Sequence, residues 1–318
     1  MPMKNKSTVM AFCGLQILVF HLWITVANGN IIEAFLKNTA YIGVDIFFFM
    51  SAYSLANREI SSYGAFVKNR FFSVYLKFLI FCVVAFFYSG WPIMRLGTTM
   101  IGWQFLTRGG GAFLWFLPAI MLLYLIFPLY KRFDEKKREL AIGTLCIVWL
   151  LGAFFITKIT GLSHLAIMWN RLPMYFLGYY WGRVLSEKNL KISTVQQLVA
   201  GVVLTVVGVV ITYNYGFMVR LQNPFIDMFY IASIPFALGV MLLVDLIPSV
   251  KIIKMVGAST LEMYALQMIF GYRLANVILA KTNNALLTNL IIIISIIVVS
   301  VLLSLIYNKI KAVITKNK

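Results

Sequence analysis

Charged residues are scarce in this chain, and acidic residues are the scarcest. Only 12% of its 318 residues are Asp, Glu, Lys or Arg, against about 25% in soluble globular domains. Hydrophobic residues make up 61%, and apolar runs of about twenty residues, enough to cross a bilayer, recur from end to end. This composition excludes a soluble domain of any size and predicts an all-α integral membrane protein.

Cysteine and histidine are also rare. The three cysteines, Cys13, Cys82 and Cys146, fall inside apolar runs and show no CxxC or metal-ligand spacing. We therefore expect buried small side chains rather than disulfides, and we predict no bound metal. Only two histidines are present, His21 and His164.

The shortage of acidic residues leaves a formal net charge of +18. Such a charge could indicate nucleic-acid binding, but the lysines and arginines lie mainly in short loops between the apolar runs. We therefore predict no nucleic-acid partner. Loops of this kind are retained in the cytoplasm and attract anionic membrane lipids.

The apolar runs predict a bundle of about ten transmembrane helices within a single domain over residues 1–318. The spans fall at roughly 8–28, 40–57, 73–90, 112–130, 139–157, 170–185, 194–214, 226–246, 259–280 and 287–308. The first run contains Gln16 and His21, unlike the uninterrupted core of a signal peptide, so we predict a retained helix. With the N-terminus inside, most basic residues fall in cytoplasmic loops, which predicts that both termini are cytoplasmic.

His21 interrupts the first apolar run. Ionisable side chains at membrane depth are costly and mark functional sites. A histidine can accept a proton near neutral pH, so His21 is a candidate general base. The alternative is a histidine that packs between helices and hydrogen-bonds to another span.

Asp45 lies in the next apolar run, in the segment GVDIFFFMS. It could orient and charge-stabilise His21, as the aspartate of hydrolytic triads does. The alternative is a structural hydrogen bond to a neighbouring helix. Ser51 follows six residues later and does not share a helix face with Asp45, so we do not assign it as a nucleophile.

The segment FVKNRFFSVYLKF places Lys68 and Arg70 at the cytoplasmic end of the third span. Cations there could hold the phosphates of a cytoplasmic donor. The alternative is that these cations are ordinary basic residues at the cytoplasmic end of a membrane span. Among the remaining ionisable residues, His164 is expected in a solvated outer loop, where it could instead contact the acceptor. Glu262 is expected to pair with a cytoplasmic cation or to face the cavity, and Asp245 to reach water.

Five segments occur in an order typical of one family. They are GVDIFFFMSAYSLA after His21, FVKNRFFSVYL, LWFLPAIMLLYLIFPL, RLPMYFLGYYWGR and VGASTLEMYALQ. Together they resemble the acyltransferase-3 family of integral-membrane acyltransferases, of the polysaccharide O-acetyltransferase type. The resemblance runs from about residue 12 to about residue 270, nearly the whole chain.

The resemblance implies transfer of an acetyl or other acyl group from acetyl-CoA to a sugar hydroxyl. The acceptor would be a cell-surface polysaccharide or its lipid-linked precursor, and the location the cytoplasmic membrane of a bacterium. Acetyl-CoA would be a co-substrate, with no resident cofactor. His21 would be the essential histidine, Asp45 a supporting residue, and Lys68 and Arg70 part of the donor site.

The same resemblance implies a pocket and shows where this chain departs from the family. The implied pocket residues are Trp115, Ser51, Tyr264 and Gln267. Met10 stands where an arginine is common before the histidine, so Lys6 is the candidate donor-binding cation there. Ala52 replaces a common glycine, and Gln267 stands where a histidine is often present.

Two other functions stay open at this point. A multi-span transporter of a glycan or small solute would also place histidine and aspartate inside the membrane, although the inverted repeats common in transporters are not evident. A catalytically inactive family member in a glycan-assembly complex would keep the fold without the chemistry.

Overall fold

The computed structural model describes residues 3–22, 35–36, 39–107, 113–158, 163–188, 192–215 and 229–316, and every regular element in these ranges is helical. The helices are α1 (Lys6–Phe20), α2 (Ile42–Ala56), α3 (Tyr63–Arg70), α4 (Leu76–Ser89), α5 (Ile93–Met100), α6 (Trp103–Thr107), α7 (Phe116–Lys136), α8 (Arg138–Lys158), α9 (Ser163–Trp169), α10 (Leu172–Glu187), α11 (Thr194–Tyr215), α12 (Phe229–Val244), α13 (Lys251–Ala258), α14 (Thr260–Thr282) and α15 (Ala285–Lys316). A π-helical turn, Phe71–Tyr75, joins α3 to α4. The all-α prediction is confirmed for the described residues.

Among the described residues, six helices are long and apolar enough to cross a membrane. They are Tyr63–Ser89, Phe116–Lys136, Arg138–Ile156, Thr194–Asn214, Thr260–Thr282 and Ala285–Ile310, and three shorter apolar helices are Lys6–Phe20, Ile42–Ala56 and Ile231–Val244. Each of the ten predicted spans overlaps a helix, although the end of the first span and the starts of the fourth and eighth lie outside the described residues. The count of ten and the orientation stay predictions.

The chain packs as two compact units. The first takes Met1–Met50, Trp181–Phe217 and Ile231–Lys318, and the second takes Ser51–Tyr180 and Met218–Tyr230. The prediction of one domain over residues 1–318 is not tested by this division.

In the first unit, α1 packs closely against three helices. The glycines at these contacts have no side chain that would keep the helices apart. A Cβ on Gly14 would lie 2.9 Å from Thr260 Cγ2 of α14, and one on Gly257 of α13 would lie 2.4 Å from the Ser7 carbonyl oxygen. A Cβ on Gly43 of α2 would lie 2.8 Å from Gln16 Cβ. Close approach through small residues is the usual way that membrane helices associate. These contacts hold a helix of only 15 residues in one position.

The N-terminal end of α1 is anchored by Asp245, which is 4% exposed. Its carboxylate accepts hydrogen bonds from the backbone N–H of Asn5 (2.8 Å) and of Lys4 (3.3 Å), and from Gln197 Nε2 (3.3 Å). A carboxylate beside the first turn also stabilises the helix dipole. The expectation that Asp245 reaches water is wrong, because backbone amides and Gln197 take the place of water.

We expect Asp245→Ala to lower the stability of the folded protein by about 1–3 kcal/mol, the cost of leaving buried donors without an acceptor. The measurement is the melting temperature of the detergent-purified protein. Glu59→Ala removes an exposed carboxylate and serves as the control, for which little change is expected. Equal melting temperatures for the two variants would contradict the anchor.

In the second unit, α7 continues six residues past the predicted end of its span, so Lys131 belongs to a helix rather than to a loop. The Lys131 ammonium donates to the carbonyl oxygens of Ala56 (3.1 Å) and Arg58 (2.6 Å). These are carbonyls at the C-terminal end of α2, which a cation stabilises. One turn on, the buried Asp134 carboxylate accepts hydrogen bonds from the phenols of Tyr179 (2.7 Å) and Tyr180 (2.8 Å).

The three cysteines differ in their burial. Cys13 and Cys82 are buried, as expected for small apolar side chains, but Cys146 is exposed. It lies on α8, whose neighbouring side chains Ile147 and Val148 are exposed as well. An apolar run in a membrane protein does not distinguish a core-facing side from a lipid-facing side, so the expectation of burial is wrong for Cys146.

Candidate active site

The first cluster forms where α1 ends. His21 directly follows α1, and its backbone N–H donates to the Ile17 carbonyl oxygen at 3.1 Å. The ring nitrogen Nδ1 lies 2.9 Å from the same oxygen. A carbonyl oxygen can only accept, so this contact assigns the hydrogen to Nδ1. In the neutral ring, Nε2 then carries the lone pair.

Two predicted pocket residues, Tyr264 and Gln267, reach this cluster from α14. The centroids of the Tyr264 and His21 rings lie 6.0 Å apart, with the rings tilted by 45°. Gln267 is 1% exposed, and its Nε2 donates to the Leu18 carbonyl oxygen at 2.7 Å. The Leu18 carbonyl has no backbone donor among the described residues at the end of α1, because the Leu22 N–H donates to the Val19 carbonyl and not to that of Leu18.

The carbonyl oxygen of the Gln267 side chain has no hydrogen-bond partner among the described residues. It is buried on the segment of α14 that contacts the end of α1. A buried acceptor in this position suits a ligand hydroxyl, which can donate to it. The structure thus brings His21, Tyr264 and Gln267 together, while the role of each stays a prediction.

Asp45 is wholly buried on α2, two residues after the close contact between Gly43 and Gln16. The Nδ1 atom of the His21 ring is hydrogen-bonded to the Ile17 carbonyl of α1, and the orienting role considered for Asp45 stays a prediction. A supporting role for Asp45 in the chemistry stays a prediction. Lys6, the candidate donor cation of α1, is exposed.

The second cluster surrounds Arg70, the last residue of α3. Its guanidinium carbon lies 4.9 Å from the centroid of the Tyr124 ring and 5.3 Å from that of Phe66. Tyr124 is held in turn by Ser51, with 2.7 Å between their hydroxyl oxygens. The structure therefore joins the predicted residues Arg70 and Ser51 through Tyr124. Lys68, two residues before Arg70, is exposed.

The third cluster surrounds Trp115, at the start of α7. The preceding residue, Leu114, is buried and has a φ of 50°, a left-handed conformation that is strained for a leucine. The Arg171 guanidinium carbon lies 5.9 Å from the Trp115 ring, and the His164 ring lies 6.2 Å away. His164 is half-buried on α9, so the expectation that it lies in a loop is wrong.

The sequence did not single out Tyr124 or Arg171 as site residues. Aromatic residues make up 15% of the chain, so one tyrosine among many carries no signal before the helices are packed. Arg171 lies beside a predicted span end, where a basic residue needs no special explanation. Only the packing of α3, α7 and the segment around Arg171 identifies both.

These features define a multi-pass helical membrane protein with a backbone-oriented histidine at the end of an anchored helix. A family model described as an acyltransferase domain matches residues 8–309. The chain belongs to the acyltransferase-3 family and is a membrane acyltransferase. No curated protein and no solved structure matches it.

Proposed function

We propose that this membrane acyltransferase moves an acetyl group from acetyl-CoA to a sugar hydroxyl. The acceptor is a cell-surface polysaccharide or its lipid-linked precursor. The protein would lie in the cytoplasmic membrane of a bacterium, with about ten spans and both termini in the cytoplasm. The supporting observation is the hydrogen bond from the His21 ring to the Ile17 carbonyl, because it leaves Nε2 available as a base.

The chemistry proposed for His21 follows from that tautomer. Nε2 accepts the proton of the sugar hydroxyl while the hydroxyl oxygen attacks the carbonyl carbon of the thioester. The new C–O bond forms and the C–S bond breaks, and the proton passes from Nε2 to the departing thiolate. The products are the acetylated sugar and CoA. The Ile17 carbonyl stabilises the protonated ring through its hydrogen bond with Nδ1–H.

Basic side chains are proposed to bind the phosphates of the donor. Arg70 suits this role because its guanidinium lies against two aromatic rings, which limit its movement. Lys68 and Lys6 are exposed and would add long-range attraction. Tyr264 and the Gln267 side-chain carbonyl are proposed to contact the acceptor hydroxyl.

Mass spectrometry of the surface glycans tests the reaction. The host strain, a strain deleted for this chain and the complemented deletion strain are compared. We expect an acetyl mass that disappears on deletion and returns on complementation. Transport becomes the better account if deletion removes the glycan without changing the acetylation of what remains. An inactive partner becomes the better account if acetylation is normal without the chain.

A further inference from the structure

Arg70 Nε and the hydroxyl of Tyr175 are buried hydrogen-bond donors in the second unit that have no acceptor among the described residues, and Tyr175 is only 1% exposed. Arg70 also makes no ion pair within the part of the chain that the structure describes. Buried donors of this kind are normally satisfied, and an exception calls for a ligand or an ordered water.

Both donors lie near one face of α7. Arg70 stacks on Tyr124 of that helix. Tyr175 packs edge-on against Phe127, with 6.2 Å between the ring centroids. Tyr124 and Phe127 are three residues apart and therefore share a helix face. Tyr175 is close enough to both Arg70 and Tyr124 to interact with them electrostatically.

The surroundings hold these groups in place. The Arg70 guanidinium is stacked against both Phe66 and Tyr124, and the Ser51 hydroxyl fixes the Tyr124 hydroxyl. A π-helical turn begins directly after Arg70. Such turns insert an extra residue into a helix and are frequent at functional sites. The geometry is thus fixed by the protein before any ligand arrives.

We propose that Arg70 and Tyr175 form a buried site for a phosphoryl group, with Tyr124 as the residue that positions Arg70. A phosphoryl group carries several acceptor oxygens and a negative charge, so it can accept from a guanidinium N–H and a phenol O–H together. The identification of its source with the CoA donor rests on the proposed function. The headgroup of an anionic lipid carries the same chemistry.

Binding of inorganic pyrophosphate to the detergent-purified full-length protein, measured by calorimetry, tests the site. Tyr175→Phe keeps the ring and removes the hydroxyl, and we expect pyrophosphate to bind about tenfold more weakly, as for a lost hydrogen bond to a charged group. Arg70→Gln should abolish binding. Tyr213→Phe removes an exposed phenol and should bind as the wild type does.

The Tyr124 variants separate positioning from direct contact. Tyr124→Phe keeps the ring under Arg70 and should bind pyrophosphate nearly as the wild type does. Tyr124→Leu removes the ring, and we expect it to weaken binding several-fold, in line with the loss of a cation–π contact. Equal binding by the phenylalanine and leucine variants would overturn the positioning role of Tyr124.

Competition identifies the source of the phosphoryl group. If CoA displaces pyrophosphate, the site serves the donor. If phosphatidylglycerol vesicles displace it and CoA does not, the site is supported but the donor role proposed for Arg70 fails. The site itself is overturned if the wild type does not bind pyrophosphate, or if Tyr175→Phe binds it unchanged at an unchanged melting temperature.

Discussion

Replacing His21 with Ala is expected to lower acetyl transfer by about 10²–10⁴-fold, the usual contribution of a general base. The variant loses Nε2 and with it the acceptor for the hydroxyl proton. The measurement is acetyl incorporation from radiolabelled acetyl-CoA in isolated membranes, with glycan mass spectrometry as a second readout. The level of the protein in the membrane should stay close to that of the wild type.

His164→Ala is the matched control, because the chain has only two histidines. His164 is half-buried against Trp115 on α9 and belongs to the second unit. We expect its variant to retain most of the transfer activity. Wild-type activity in His21→Ala would rule out His21 as the base. Equal losses in both variants would point to a general structural effect.

Replacing Gly208 with Ala is expected to destabilise the protein by about 1–3 kcal/mol, the usual cost of overpacking. A Cβ at this position of α11 would lie 2.2 Å from Phe236 Cβ and 2.5 Å from Phe236 Cα of α12. Contacts between carbon atoms are favourable only beyond about 3.5 Å. The two helices would have to separate, because the obstacle includes the backbone of Phe236.

The separation would also disturb the start of α2. Thr212 lies one turn after Gly208 and donates to the Gly208 carbonyl oxygen at 2.8 Å. The same Thr212 hydroxyl lies 2.9 Å from the hydroxyl of Tyr41, directly before α2. We therefore expect a lower melting temperature in detergent and lower activity, since α2 carries Asp45.

Gly143→Ala is the matched control for Gly208→Ala. The substitution is the same, but nothing lies within 4 Å of a Cβ at Gly143. Alanine also favours the helix over glycine by up to about 1 kcal/mol. The control should therefore melt at the wild-type temperature or slightly above it. A Gly208→Ala protein as stable as the control would show that α11 and α12 can adjust without cost.

The sequence was informative wherever one property repeats along the chain. Apolar runs of bilayer length predicted helices, and each of the ten predicted spans overlaps one. Five motifs in order predicted the family that the match over residues 8–309 shows. The boundaries were less predictable. The end of α7 was predicted too early, because the sequence does not distinguish a lysine in a buried helical turn from a lysine in a loop.

The site was only partly accessible to sequence reasoning. His21 was identifiable because an ionisable residue inside an apolar run is rare. The partner of its ring was not, since a backbone carbonyl is present at every residue and its availability depends on where the helix ends. Tyr124 and Tyr175 were hidden for a similar reason, because they are two tyrosines among 16.

By itself, the sequence determined the class of the protein, its helical content and the candidate histidine. These follow from hydrophobicity and from residue types, which are properties of the chain before it folds. Tertiary structure alone decided that Asp245 anchors α1, that Gln267 satisfies the Leu18 carbonyl and that Arg70 stacks on Tyr124. Each of these contacts joins residues far apart in the chain, and only helix packing brings their atoms within hydrogen-bonding or stacking distance.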